Sequence, residues 1–414
     1  MKYPIYKNPF FEVDIEPVLG KTEVTSKGLL SPILGKRVSK EMSFFDQKKY
    51  IAELEPDPVS NPDPNSDSNS NSNSYSTLNS YSERYGRSLI FSTWMAPIPS
   101  PVFSRLVQSR MMSGFGKYKP EQVTISITEE CPNRCLHCAL PNKNNHAKLS
   151  VPEVKDAIDQ CIRAGATSII FDGGEPLGYA GLEELISYVD PKQAIACMFT
   201  SGVGLSLEKA RLLKDAGLYS ITVSIDSPRP QEHDRMRGVF GIFDKATAGI
   251  KNALSVGLLV NMYIVLAPYN VDDLEQIYQL AADLGVHELS FYEIVPTGRW
   301  LNNTNEILTP KQHEMFADFV RRHESEPFGP KLFPGPIIVN TFGCMAGRQW
   351  MHITPEGNIL PCSCVPIPYG NVKDGKNAVA EAWKKIRKDP AYRKAEGCLM
   401  RDAEFRKEYE SRFE

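Results

Sequence analysis

Three cysteines crowd one short stretch, Cys131-Pro-Asn-Arg-Cys135-Leu-His-Cys138. Three thiolates on one loop can grip one face of an iron–sulfur cubane and leave its fourth iron without a protein ligand; cysteine-held clusters reach low potentials. The same residues also suit a zinc knuckle, with His137 or another residue as fourth ligand. Four more cysteines, Cys344, Cys362, Cys364 and Cys398, lie far along the chain. The stretch FGCMAGRQWMHITPEGNILPCSC places a Pro-Glu-Gly turn between apolar runs, which predicts a hairpin returning Cys344 beside Cys362. Four thiols suffice for one tetrahedral metal or one complete iron–sulfur cluster. Cys161, on the apolar face of a helical pattern, and Cys197, inside a strand pattern, read as buried core thiols.

The elements that must position these residues begin at residue 120. Short β-branched runs recur there: VTISIT, SIIFDGG, AIACMFTSG, SITVSID, VNMYIVLA and ELSFYEIV. Helical patterns such as SVPEVKDAIDQCIRAGA and VDDLEQIYQLAADLG alternate with them, and several end at glycine. Repeated β-α units imply a parallel sheet with outer helices, with the chemistry on the loops that follow the strands. The fold expected is therefore α/β: a partial (β/α)6 TIM-type barrel over 120–326, an irregular N-terminal region over 1–119, and a cysteine-rich metal-binding C-terminal extension over 327–414. The N-terminal region is split by 57–82, almost all Asp, Asn, Pro and Ser, which cannot bury enough apolar surface to offset its ordering entropy. The apolar, proline-rich 83–119 either packs on the main domain or closes over a pocket.

At 42% hydrophobic, 23% charged and a formal net charge of −3, the 414 residues give no reason to expect nucleic acid or an anionic membrane as partner. No run approaches the roughly 20 apolar residues of a membrane span, and Glu12, Asp14 and Glu16 interrupt the start where a signal peptide would be apolar. A cytoplasmic protein is expected, its clustered cysteines serving as metal ligands rather than disulfides.

The cysteine motif directly follows the first barrel strand. The second strand ends in Gly173-Gly174-Glu175-Pro176, the third in Thr200-Ser201-Gly202 and the fourth in Ser224-Ile225-Asp226. In this combination the chain resembles the radical S-adenosylmethionine (SAM) superfamily. The resemblance implies an enzyme with a [4Fe-4S] cluster on Cys131, Cys135 and Cys138 that cleaves SAM reductively. It implies that Gly173, Gly174, Glu175 and Pro176 bind the SAM amino group and that Thr200 is a further cofactor contact. Ser224 and Arg237 would then hold the SAM carboxylate, Asp226 the ribose edge, and His137 would pack beside the adenine. Asp172 departs from the pattern, standing where the family usually carries a small hydroxyl residue. The segment 227–238 looks like a stretch found in peptide-modifying members. The front of 344–364 resembles the auxiliary-cluster (SPASM or twitch) extension but lacks its later C-x2-C, which implies one second site, iron or iron–sulfur.

Three longer stretches, YKNPFFEVDIEPVLGKTEVTSKGLL, CLHCALPNKNNHAKLS and CMAGRQWMHITPEGNILPCSC, together resemble the methanogenesis marker protein 10 family. That resemblance implies a cobalamin-dependent radical SAM methyltransferase, supplied by an electron donor. Its 5′-deoxyadenosyl radical and methylcobalamin would C-methylate an unactivated carbon of an arginine in the α subunit of methyl-coenzyme M reductase. The chain has no Asp-x-His-x-x-Gly cobalamin motif. Two other readings stay open: a cobalamin-independent radical SAM peptide maturase, oxidising or cross-linking with help from one auxiliary cluster, and a non-enzymatic zinc-stabilised scaffold.

Overall fold

The computed structural model describes residues 3–8, 11–18, 21–27, 51–54, 84, 88–140, 146–324, 326, 329–393 and 396–410. The polar insertion 57–82 lies outside the described residues. Near the N-terminus, β1 (Tyr3–Asn8), β2 (Phe11–Val18) and β3 (Lys21–Lys27) form an antiparallel meander of their own. β4 (Ala52–Leu54) pairs antiparallel with β5 (Ser88–Ile90).

The six runs read from the sequence become parallel neighbours in one sheet: β6 (Gln122–Thr128), β7 (Ser168–Gly173), β8 (Ile195–Thr200), β9 (Ser220–Ser224), β10 (Leu259–Leu266) and β11 (Glu288–Glu293). Helices lie between them. Helix Val151–Ala164 starts with a Ser150/Glu153 capping box and carries five buried positions toward the sheet, and Gly165 closes it in a left-handed turn.

Two short strands from beyond residue 326 extend the expected six-stranded sheet at its two flanks. β12 (Lys331–Pro334) adds in parallel to β11, and β13 (Trp350–Ile353) adds in parallel to β6 on the opposite flank. β13 also forms the expected hairpin, pairing antiparallel with β14 (Ile359–Leu360).

The two-residue period of the strands sorts the side chains. Val260, Met262 and Ile264 face the helices in the main core. On β10 and β11 the alternate residues Asn261, Tyr263, Ser290 and Tyr292 face the barrel interior, where Asn261 Nδ2 donates to Ser290 Oγ at 2.9 Å. The segment 88–100 settles into the end of the barrel where the strands begin. Ser92 Oγ and the Thr93 backbone N–H donate to the buried Glu288 carboxylate at 2.9 and 2.8 Å, and Ser220 Oγ donates to the Thr93 carbonyl at 2.7 Å. Trp94 Nε1 donates to Ser290 Oγ at 3.1 Å, and its ring packs against Phe199, Tyr292 and Phe333. The segment thus packs on the main domain and also floors a pocket.

Candidate active site

A cavity of about 910 Å³ opens at the ends of the strands, and Cys131, Cys135, Cys138, Cys344, Cys362, Cys364 and Cys398 all line it. The loop bearing the first three is gripped through its backbone from three sides. From β7, the Gly174 N–H donates to the Thr128 carbonyl at 2.7 Å and the Glu175 N–H to the Glu130 carbonyl at 2.8 Å. A Cβ on Gly174 would stand 2.2 Å from the Glu130 carbonyl oxygen, so glycine is what lets the two loops meet. From the helix Pro230–Arg237, the carbonyls of Met236 and Arg237 accept from Leu136 and Arg134, each at 2.9 Å. From the turn after β11, Arg299 donates its backbone N–H to the Cys138 carbonyl at 3.0 Å and Nη1 to the Cys135 carbonyl at 3.1 Å. Nothing in the spacing of motifs pointed to Arg299.

Among the described residues no three cysteine, histidine or carboxylate side chains converge as they would around a bound metal ion. The donor chemistry nevertheless fits an iron–sulfur cluster. Burial, then Glu175 and the neighbouring thiols, push the Cys131 thiol up to about 12, and burial and Cys135 raise Cys138. Such a set is reluctant to ionise unless a metal takes the thiolates. Two guanidinium groups offset that charge: Arg237 Nη1 lies 3.8 Å from Cys135 Sγ, and Arg299 lowers Cys138.

Asp226, expected at the ribose edge, lies behind Arg237 and His137 rather than on the cavity wall. It is 0% exposed and does not line the cavity. Its carboxylate pairs with Arg237 Nε at 2.8 Å and lies 3.6 Å from His137 Nε2. Burial pushes this carboxyl up, but Arg237, then His137, outweigh burial and hold it below its ordinary value. Asp226 therefore orients the two residues that do face the cavity. Burial lowers His137, leaving a neutral ring. Arg237 Nη2 is buried without a hydrogen-bond partner, poised for an anion.

The Glu175 carboxylate is likewise committed. It accepts from Thr200 Oγ1 at 2.6 Å, from the Ser201 N–H at 2.9 Å and from the Leu177 N–H at 3.2 Å, as well as from the Ser201 hydroxyl. The Gly-Gly-Glu-Pro turn thus offers the cavity the backbone of Gly173 and Gly174, while Pro176 is buried at the start of a short 3-10 turn. Thr200 and Ser224 line the cavity, Ser224 at the end of β9.

Asp172 lines the same cavity at the end of β7. Burial pushes it up to about 7, opposed by the Ser126 hydroxyl, which donates at 2.7 Å. Ser126 Oγ in turn lies 3.4 Å from His352 Nε2 on β13, so the extension contributes to the barrel wall. Trp94, Tyr263, Tyr292 and Trp350 supply an aromatic lining that the sequence did not single out; Tyr263 and Tyr292 stack with centroids 5.1 Å apart.

The thiols of the second group are near enough to one another to interact electrostatically. Burial raises Cys344 and Cys398, and neighbouring thiols add to it. The contact between Cys362 and Cys364 raises Cys362, with burial adding to it, and lowers Cys364 against burial. A thiolate-rich set of this kind fits iron or an iron–sulfur centre. Arg401 anchors this end to the barrel, donating Nη1 to Glu293 at 2.8 Å.

Comparison with known proteins defines the class. Residues 125–281 match the radical SAM superfamily, and residues 344–411 match the SPASM iron-sulfur cluster-binding domain. The chain carries a radical SAM domain followed by a SPASM domain. It is 30% identical to the Fe-coproporphyrin III synthase of Methanosarcina barkeri over 58% of this chain, and spans 61% of that protein's length. It is 25% identical to the PqqA peptide cyclase of Rhizobium meliloti, covering 66% of this chain and 76% of the other. In fold it is similar to Streptococcus suis SuiB bound to the precursor peptide SuiA, with a TM-score of 0.57 at 12% identity over 97% of each chain. No described helix is long and apolar enough to cross a membrane.

Proposed function

We propose that this chain is a cytoplasmic radical SAM enzyme that modifies a peptide or protein side chain. The observation that carries the reading is the single cavity lined by both cysteine sets, by Arg237 and by the glycine backbone of 173–174. Cys131, Cys135 and Cys138 would hold the cluster, which when bound would supply the electron for reductive cleavage of SAM to a 5′-deoxyadenosyl radical. The chain's own residues do the rest. Arg237, fixed by Asp226, holds the SAM carboxylate with Ser224 beside it. The carbonyls of the glycine turn take the amino group, and His137 flanks the adenine. The aromatic floor keeps water from the radical. PqqA peptide cyclase among the relatives supports a peptide substrate. An external one-electron donor is required.

A second reading is the cobalamin-dependent C-methylation of an arginine in the methyl-coenzyme M reductase α subunit. Asp172 supports it: among the described residues this cavity carboxyl has a hydroxyl neighbour but no cationic partner, which suits a guanidinium. The lining residues single out no cradle for a corrinoid, and no step is derived through one.

The test is anaerobic reconstitution with iron and sulfide, then incubation with reductant, SAM and an arginine-containing peptide, with and without methylcobalamin. Mass spectrometry should find 5′-deoxyadenosine that disappears in Cys135→Ala, and peptide oxidation or cross-linking without methylcobalamin. A methyl gained only with methylcobalamin establishes the second reading instead. Iron-loaded protein that leaves SAM intact overturns both.

A further inference from the structure

The turn that follows β11 touches both cysteine sites. Thr297 Oγ1 donates to the Cys364 carbonyl at 2.7 Å. Two residues on, Arg299 holds the carbonyls of Cys138 and Cys135 at 3.0 and 3.1 Å. Gly298, between them, sits at φ 51, and a Cβ there would lie 2.2 Å from the Cys138 carbonyl oxygen. Only glycine allows that approach. The same strand end takes the fourth thiol's segment as well: Glu293 accepts from Arg401 at 2.8 Å, and the Arg401 N–H donates to the Cys398 carbonyl at 3.0 Å. Residues 293–299 therefore hold, directly or through Arg401, main-chain carbonyls belonging to both metal-ligating groups.

We infer that this segment is a coupling strut, with Thr297 as its positioning residue: filling the second cysteine site orders the loop that carries Cys131, Cys135 and Cys138. The inference rests on the second set holding a metal. Thr297 is 5% exposed and does not line the cavity, so it touches neither substrate nor cofactor. Loops held by a few main-chain bonds open locally at low free energy. A metal on Cys364 fixes the Cys364 main chain, the Thr297 hydroxyl passes that constraint to Gly298, and the packed glycine passes it to the Cys138 carbonyl. Such ordering couples two sites without any change of fold. The coupling is reciprocal, so an assembled cluster must also tighten metal binding at the second site.

The deciding experiment uses the full chain with Cys131→Ala, Cys135→Ala and Cys138→Ala, so that anaerobic ferrous iron and sulfide load the second site alone. Metal content is measured together with deuterium uptake of residues 131–140. Loading should slow exchange in that loop by about five-fold, the lower end of ordinary coupling. Thr297→Ser should keep the slowing. Thr297→Val, nearly isosteric without the hydroxyl, should lose it while 344–364 stays protected. Slowing that survives Thr297→Val overturns the strut, as does bound iron that never slows the loop. A site that takes no iron overturns the second-site reading and the strut with it. Should the triple variant not fold, the midpoint potential of the SAM-binding cluster in the native chain decides: Thr297→Val must shift it and Thr297→Ser must not.

Discussion

Asp172 stands on the cavity wall at the end of β7 and accepts from the Ser126 hydroxyl at 2.7 Å. Its position marks it as a departure from the usual small hydroxyl, but its state depends on burial and on Ser126 of β6, whose hydroxyl also meets His352 on β13. With the carboxyl pushed up to about 7, the folded chain favours the neutral acid. A raised carboxyl contributes stability that is complete below its unfolded value near 4 and is lost as pH climbs through the folded value near 7. Asp172→Asn removes that titration, so the native chain should lose stability relative to the variant across this window, at most roughly 1.4 kcal/mol per pH unit. Urea midpoints of the two proteins at about pH 5 and about pH 8 measure it. A difference that does not change with pH would make Asp172 an ordinary carboxylate. Asp226 is the opposite case. Read from its strand end it looked like a ribose contact, yet Arg237, His137 and Asn270 close around it from elsewhere in the chain. Spacing shows which strand end a residue occupies, not which neighbours enclose it.

Among the elements, the long periodic ones were legible and the short ones were not. Six strands and their helices announced themselves because alternation and capping agree over many residues. β12 is four residues long, and β13 was recognisable only as half of a hairpin; its other edge pairs with β6, whose residues lie far upstream. The segment 88–100 has no clear period, because it follows the end of the barrel where the strands begin rather than a lattice of its own. Leu89, Phe91, Trp94 and Ile98 pack it into an apolar cluster with Ile170, Ile195 and Leu259, and a polar contact fixes it there: Ser92, the Thr93 N–H and the Thr93 hydroxyl donate to the Glu288 carboxylate, which burial raises and Lys331, then Thr93, oppose. Replacing Thr93 by Val leaves that buried carboxylate one donor short, at a cost of about 1–3 kcal/mol. Thr93→Ser should be close to native. Because Trp94 follows directly and floors the cavity, the loss should also appear in its fluorescence. Equal stability of the Val and Ser variants would mean that the hydroxyl contributes nothing to closing the barrel.

For the whole molecule, the two matched domains share one core. β13 lies beside β6 in the sheet, and Met351, Ile353, Val379, Ile386 and Tyr392 belong to the same buried cluster as Val123, Ile125 and Ile158. Helix Ala378–Lys388 is tied to helix Val151–Ala164 through Gln160, which accepts from the Val379 N–H at 3.1 Å and donates to the Val372 carbonyl at 3.1 Å. Trp383 Nε1 reaches the Tyr118 carbonyl at 3.0 Å. Removing everything after Gly343 would therefore strip one edge of the sheet, uncover β6 and open a wall of the cavity. An unpaired, apolar strand edge is a template for aggregation. The shortened chain should accumulate as aggregate, whereas the full chain should unfold in one cooperative urea transition, with tryptophan fluorescence and far-ultraviolet dichroism superimposing. A soluble, cooperatively folded chain ending at Gly343 would show that the extension merely docks on a finished barrel. In that event two separate transitions should appear in the full protein, the weaker one belonging to residues 344–410.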